Sequence, residues 1–149
     1  MTPIVVSVEL DASPADVWRD LEQIEHHVEW MADAKEIRFV TEQTRGVGTR
    51  FRCRTGIGPI TVDDEMEVVS WEPERRMGVR HSGVVTGTGS FELQPLDDGH
   101  RTAMTWSEQL DFPWYFGGSL GERIGGQQVM RQIWRRNLGR FKRHVERAR

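Results

Sequence analysis

The sequence predicts an α+β domain in which an antiparallel sheet is closed by one helix at the end of the chain. Its opening residues alternate between apolar and polar, which indicates a strand, and a helix-start motif follows. From about Gln127 apolar residues recur every three or four positions, which is typical of a helix lying on a sheet. The 149 residues contain no linker, repeat or low-complexity segment, so we expect a single domain over 1–149.

The first strand and helix are predicted between residues 4 and 24. The apolar face of the strand comprises Ile4, Val6, Val8 and Leu10. Ser13 is placed to cap the helix, Pro14 suits its first turn, and Asp16 favours its positive end. The buried stripe of the helix is predicted to be Val17, Trp18, Leu21 and Ile24. A second short helical segment, 26–31, is expected before the next strand.

The middle of the chain alternates between apolar and polar residues in segments separated by turns. The turns are predicted at 46–48, 56–59, 71–74 and 97–99. The alternation places Asp64, His81 and Glu108 on apolar faces, each flanked two positions away by residues expected to point inward. A turn near Pro73 would pair His81 with residues 66–68 and make Asp64 its diagonal neighbour.

These three ionisable residues have three open interpretations. A carboxylate desolvated by an apolar wall can transfer protons in an aldol cyclisation or a dehydration, so all three are candidate catalytic residues. They could instead orient a ligand. A register slip of one residue would turn any of them to solvent and leave it without a role in a cavity.

Charge is distributed unevenly along the chain. Residues 1–118 carry 21 acidic and 11 basic side chains and residues 119–149 carry 2 and 9, which gives −10 and +7 within a net charge of −3. A regular helix needs a soluble outer face, so we expect no nucleic-acid partner; contact with an anionic membrane surface remains an alternative for the basic helix.

Cysteine content and hydropathy indicate a cytoplasmic, soluble protein. Cys53 is the only cysteine, so no internal disulfide can form, and it is expected to be a small apolar wall residue. No stretch approaches the roughly 18 apolar residues of a membrane span. We expect no metal or cofactor: the cluster of His26, His27, Glu29 and Asp33 fixes no third ligand by spacing and is interpreted as surface capping.

An aromatic segment, 112–116, precedes a glycine-rich stretch at 117–126. Its position after the last strand predicts a lid over a cavity mouth, with Trp114 and Phe116 as contacts. Insertion into a membrane surface and plain packing on the terminal helix are the alternatives.

The chain resembles the START-like (SRPBCC) superfamily with the Bet v 1-like helix-grip fold, and within it the polyketide cyclase/dehydrase and lipid-transport group. The segments that carry the resemblance are 12–18, His27-Val28-Glu29-Trp30, Gly46-Val47-Gly48-Thr49-Arg50-Phe51, Trp71-Glu72-Pro73-Glu74-Arg75-Arg76 and 99–102. The resemblance implies a seven-stranded curved antiparallel sheet wrapped around a long C-terminal helix, two short helices between strands 1 and 2, and an apolar cavity. It implies no single reaction, because carriers, sensors and enzymes share this shape.

The sequence therefore predicts non-covalent binding of a small hydrophobic or aromatic molecule, such as a lipid, a polyketide or an isoprenoid-like compound, under the C-terminal helix. The predicted walls are Phe51, Met66, Val79, Met104, Trp106, Met130 and Trp134. Asp64, His81 and Glu108 would orient the ligand. The alternatives are a cyclase or dehydratase that uses these three residues for proton transfer, and a lipid chaperone that docks to membranes.

Overall fold

The computed structural model describes residues 3–57, 59–111 and 127–148. In this part of the chain seven strands form one antiparallel sheet in the order β1-β7-β6-β5-β4-β3-β2. The strands are β1 (Ile4–Leu10), β2 (Ala34–Phe39), β3 (Arg50–Ile57), β4 (Ile60–Glu72), β5 (Arg76–Ser82), β6 (Thr86–Leu96) and β7 (Arg101–Asp111). The α-helices are α1 (Pro14–Leu21) and α2 (Gln127–Arg147), and two short 3₁₀ helices cover Ile24–Glu29 and Asp97–Gly99. Strands β2 to β7 follow one another as a meander, and β1 joins them beside β7.

Helix α1 begins as the sequence predicts. The Ser13 hydroxyl accepts a hydrogen bond from the backbone N–H of Asp16 at 3.2 Å, and Pro14 occupies the first turn. Val17, Trp18 and Leu21 form its buried stripe.

The second predicted helical segment differs from the expectation. It is a 3₁₀ helix over Ile24–Glu29 rather than a helix over 26–31, and no side chain caps its start. Because side chains three residues apart eclipse in a 3₁₀ helix, Ile24 and His27 lie on one face, and both are buried. The interpretation of His27 as a surface capping residue was therefore wrong.

Helix α2 packs on the inner face of the sheet through Trp134, Leu138, Phe141 and Val145, as predicted. Asn137 is also fully buried on this face, which the sequence did not predict. Its Oδ1 accepts a hydrogen bond from the backbone N–H of Ala32 at 3.0 Å, and its Nδ2 donates to Asp33 Oδ1 at 2.8 Å. Asn137 therefore fixes α2 to the turn that precedes β2. Neither α2 nor any other described helix is long and apolar enough to cross a membrane.

Candidate functional site

Three ionisable side chains meet on the inner face of the sheet. Asp64 lies on β4, His81 on β5 and Glu108 on β7, and they are only 4%, 7% and 8% exposed. His81 Nδ1 lies 2.6 Å from Asp64 Oδ2, and His81 Nε2 lies 3.1 Å from Glu108 Oε2. The three residues form one buried cluster, here called the carboxylate–histidine cluster.

The strand register explains how this cluster assembles. Met66 pairs with His81, as predicted, so Asp64 is the diagonal neighbour of His81 on the adjacent strand. Glu108 comes from two strands away and must reach His81 across β6. It does so at Gly89, which pairs with Glu108 and has no side chain to occupy the space between the two residues.

Gly89 is a site residue that the sequence reasoning missed. A Cβ atom at this position would lie 2.3 Å from Glu108 Oε2 and 2.5 Å from Glu108 Cδ, far inside van der Waals contact. Glycine within a strand is itself a signal of close approach by another group. The Gly87-Thr88-Gly89 run carries this signal, but only the strand order reveals which side chain approaches.

The two carboxylates keep His81 protonated. Burial alone would lower the pKa of His81, but the hydrogen bonds and negative charges of Asp64 and Glu108 outweigh it and raise that pKa to about 10. At neutral pH the imidazolium therefore donates one hydrogen bond to each carboxylate. His81 cannot act as a general base in this state, because both ring nitrogens already carry protons.

The cluster has one acceptor without a partner. Trp106 Nε1 donates to Glu108 Oε1 at 3.0 Å, and the two His81 hydrogen bonds occupy Glu108 Oε2 and Asp64 Oδ2. The fourth carboxylate oxygen, Asp64 Oδ1, is buried and accepts no hydrogen bond from the part of the chain that the structure describes. A buried polar atom in this state is rare in folded proteins.

An aromatic cluster lies beside these charged residues. The rings of Trp106 and Trp134 stack at a centroid distance of 5.0 Å and an interplanar angle of 22°. Trp30 and Phe91 contact Trp106 edge-on or tilted, at 6.1 and 5.2 Å. Since the Trp106 indole N–H bonds to Glu108, it needs no polar group from a ligand.

The predicted wall residues divide by burial. Phe51, Met104, Trp106 and Trp134 are buried in the core. Met66, Val79 and Met130 are only partly buried, as are Ile37 and Phe39 on the same side of the sheet. Apolar surface thus remains accessible beside His81. Trp114 and Phe116, and the lid predicted for 112–116, lie outside the described residues.

Two other candidate residues have structural roles. Burial lowers the pKa of His27 to about 4, and its neutral ring donates from Nε2 to the backbone oxygen of Leu21 at 2.7 Å. Burial raises the pKa of Cys53 to about 11, so its thiol stays protonated as a wall residue. Within the described ranges, no three His, Cys, Asp or Glu side chains are arranged to hold a metal ion.

The outer face of α2 carries a shallow groove of about 440 Å³. Its lining residues are Gln132, Arg135, Arg136, Gly139, Arg140 and Arg143. The four arginines are exposed, and none forms an ion pair with another described residue. This surface is strongly basic.

A curved antiparallel sheet wrapped around a C-terminal helix, with two short helices between β1 and β2, is the helix-grip fold. The chain belongs to the family described as polyketide cyclase/dehydrase and lipid transport, whose model matches residues 1–146. Both the fold and the family implied by the sequence resemblance are therefore confirmed. No curated protein matches the chain.

Solved structures of similar fold cover almost the whole chain. TTHA0849 from Thermus thermophilus is 20% identical, with a TM-score of 0.77 and 99% of each chain covered. The Zhui aromatase/cyclase from Streptomyces sp. R1128 is 16% identical, with a TM-score of 0.77 over 98% of this chain and 94% of the other. A conserved protein from Geobacillus kaustophilus is 17% identical, with a TM-score of 0.76 over 99% and 97%. At such identities the similarity concerns the fold.

Proposed function

We propose that the protein binds a small hydrophobic or aromatic molecule, non-covalently, between the inner face of the sheet and α2. The observation that carries this proposal is the accessible apolar surface beside His81. Met66 and Val79 on the sheet and Met130 on the helix stay partly exposed, while residues further along α2, such as Phe141, are fully buried. Apolar walls with a few polar groups are the usual composition of a small-molecule site.

The first test is native mass spectrometry of the protein purified from its own host, followed by denaturing extraction. A stoichiometric apolar molecule is the expected result, and it would identify the ligand class. The neutral fluorophore N-phenyl-1-naphthylamine gives an independent measurement of binding. An empty protein that also fails to bind the fluorophore would refute the proposal.

A pair of variants locates the binding space. Val79→Trp fills the accessible surface next to His81 and should abolish fluorophore binding. Val69→Trp places the same bulk at an exposed position on β4, where Val69 is 40% exposed, and should leave binding unchanged. Equal binding by both variants would place the ligand elsewhere.

The second candidate function is a proton-transfer enzyme of the cyclase or dehydratase type. The unpartnered Asp64 Oδ1 favours it, because a carboxylate oxygen next to an imidazolium can take a proton from an activated carbon and return it to the oxygen that leaves as water. A linear polyketone analogue, followed by liquid chromatography and mass spectrometry, should then be converted. The Asp64→Asn variant should no longer convert the substrate, whereas Asp63→Asn, on the outer face, should still convert it. If the wild-type protein does not convert the substrate, this candidate function is excluded for that substrate class.

The third candidate is a lipid chaperone that docks to membranes through α2. The arginines of the outer groove, which form no ion pair with another described residue, favour it, because clustered basic residues bind anionic lipid surfaces. Vesicles containing phosphatidylserine should bind the protein at low salt and release it at high salt. Replacing Arg136 and Arg140 by glutamine should abolish this binding; binding that is independent of salt, or equal on neutral vesicles, would refute it.

A further inference from the structure

We propose that the space beside the carboxylate–histidine cluster selects molecules that end in an uncharged or cationic hydrogen-bond donor, such as a hydroxyl or an amine, and rejects carboxylates. The inference rests on the proposed function, since it specifies the ligand class of the same site. Two separate features of the cluster support it: its charge and its remaining hydrogen-bonding capacity.

The cluster contains more acidic than basic side chains. Among the described residues, the buried acids are Asp64 and Glu108, and the one buried base that they keep protonated is His81. Every described arginine and lysine is exposed or half-buried. A carboxylate entering this space would lose its hydration next to two acidic side chains, and no buried cation other than His81, whose N–H groups are already used, is available among the described residues to bind it. Repulsion of this kind gives a site its specificity.

The hydrogen-bonding capacity of the cluster is one-sided. Both N–H groups of His81 donate to the carboxylates, and the Trp106 N–H donates to Glu108, so the cluster has no donor left for a ligand. Its free group is the acceptor Asp64 Oδ1. A ligand donor would relieve the cost of burying this oxygen unpaired, whereas a carbonyl or ether oxygen would gain nothing there.

Gly83 lies directly beside Asp64 Oδ1. A Cβ atom on Gly83 would lie 2.8 Å from this oxygen, so any larger residue would cover it from the β5–β6 hairpin. With glycine at this position, the oxygen has no side chain against it on that side.

Four probes that share one ring system test the inference on the wild-type protein at pH 7. They are 2-naphthol, which donates a hydrogen bond, 2-acetylnaphthalene, which only accepts one, 2-methylnaphthalene, which neither donates nor accepts, and 2-naphthoate, which is anionic. Titration calorimetry should give a Kd for 2-naphthol about tenfold below that of 2-methylnaphthalene or 2-acetylnaphthalene, as one hydrogen bond to a charged group provides. The weakest binding should be that of 2-naphthoate.

A matched pair of variants then assigns the selectivity to Asp64. In Asp64→Asn the amide oxygen accepts from His81 and the amide N–H group replaces the free acceptor by a donor. This variant should lose the preference for 2-naphthol and prefer 2-acetylnaphthalene. Asp63→Asn changes the neighbouring residue, which pairs with Arg54 on the outer face, and should keep the wild-type order.

The outcomes separate this inference from the proposed function. Equal Kd values for all four probes, or tightest binding of 2-naphthoate, would overturn the selectivity while leaving ligand binding intact. Binding of none of the probes would overturn both. If Asp64→Asn does not fold, the wild-type order of affinities alone decides.

Discussion

Raising the pH from 7 to 8.5 should destabilise the protein through His81. The pKa of this group is about 10 in the folded protein and 6.5 as the ordinary value of an exposed histidine. Between these values the folded state keeps a proton that the unfolded state has lost. The stabilisation is therefore complete below pH 6.5 and is lost as the pH rises towards 10.

The magnitude follows from proton linkage. One proton of difference changes the free energy of unfolding by about 1.4 kcal/mol per pH unit, so the loss from pH 7 to 8.5 should be about 2 kcal/mol. The Cys53 thiol also makes the protein less stable as the pH rises, because burial raises its pKa from 9.0 to about 11. Its contribution begins only near pH 9, above this window. The window from 7 to 8.5 therefore reports on His81.

Urea denaturation at half-unit pH intervals, monitored by tryptophan fluorescence, measures this loss. The exposed His100 provides the matched control, because His100→Gln should leave the slope unchanged. A free energy of unfolding that is constant or rises across the window would mean that the folded protein holds His81 neutral. The charge argument for ligand selection would then fail as well.

Three further predictions concern stability. Because burial lowers the pKa of His27 to about 4, the free energy of unfolding should fall by about 1.4 kcal/mol per pH unit as the pH drops below 6.5. The same urea denaturation measures this fall, and a free energy of unfolding that does not change from pH 6.5 to 5 would contradict it. Gly89→Ala should displace Glu108 and lower the melting temperature of the protein. Gly139→Ala, inside α2 and free of close contacts, should instead stabilise the protein by about 0.5–1 kcal/mol. Equal effects of the two substitutions would contradict the packing described at β6. Asn137→Ala should cost about 1–3 kcal/mol in urea denaturation, since it removes the fully buried amide and its hydrogen bonds to the backbone N–H of Ala32 and to Asp33, and an unchanged midpoint would show that water replaces the amide.

Strand alternation predicted where the members of the carboxylate–histidine cluster lie. A side-chain period of two places Asp64 with Met66 and Glu108 with Trp106, so the apolar neighbours reveal that the acids point inward. The turn at Pro73 places His81 opposite residues 66–68, and the irregularity between Val68 and Ser70 makes Met66 its partner. These predictions succeed because they depend on residues close together in the sequence.

The remaining features depend on contacts between distant parts of the chain. The bond between His81 and Glu108 requires that β6 separate their strands and that Gly89 stand at the crossing point. His27 is buried because its segment is a 3₁₀ helix. No capping side chain in the sequence predicted where this helix begins. Asn137 lies in phase with the apolar residues of α2, but a polar side chain is not expected to be buried there. Its role depends on its partners, Ala32 and Asp33, which are distant in the sequence.

The absence of a side chain at Gly89 in β6 gives a criterion for sorting relatives from their sequences alone. Glu108 on β7 meets His81 on β5 across Gly89, which has no side chain to stand between them, so we expect these three residues to occur together with Asp64. Family members that carry all four residues should share the ligand class of this protein. Members with a bulky residue at the position of Gly89 should lack the acidic partner on β7 and bind other molecules.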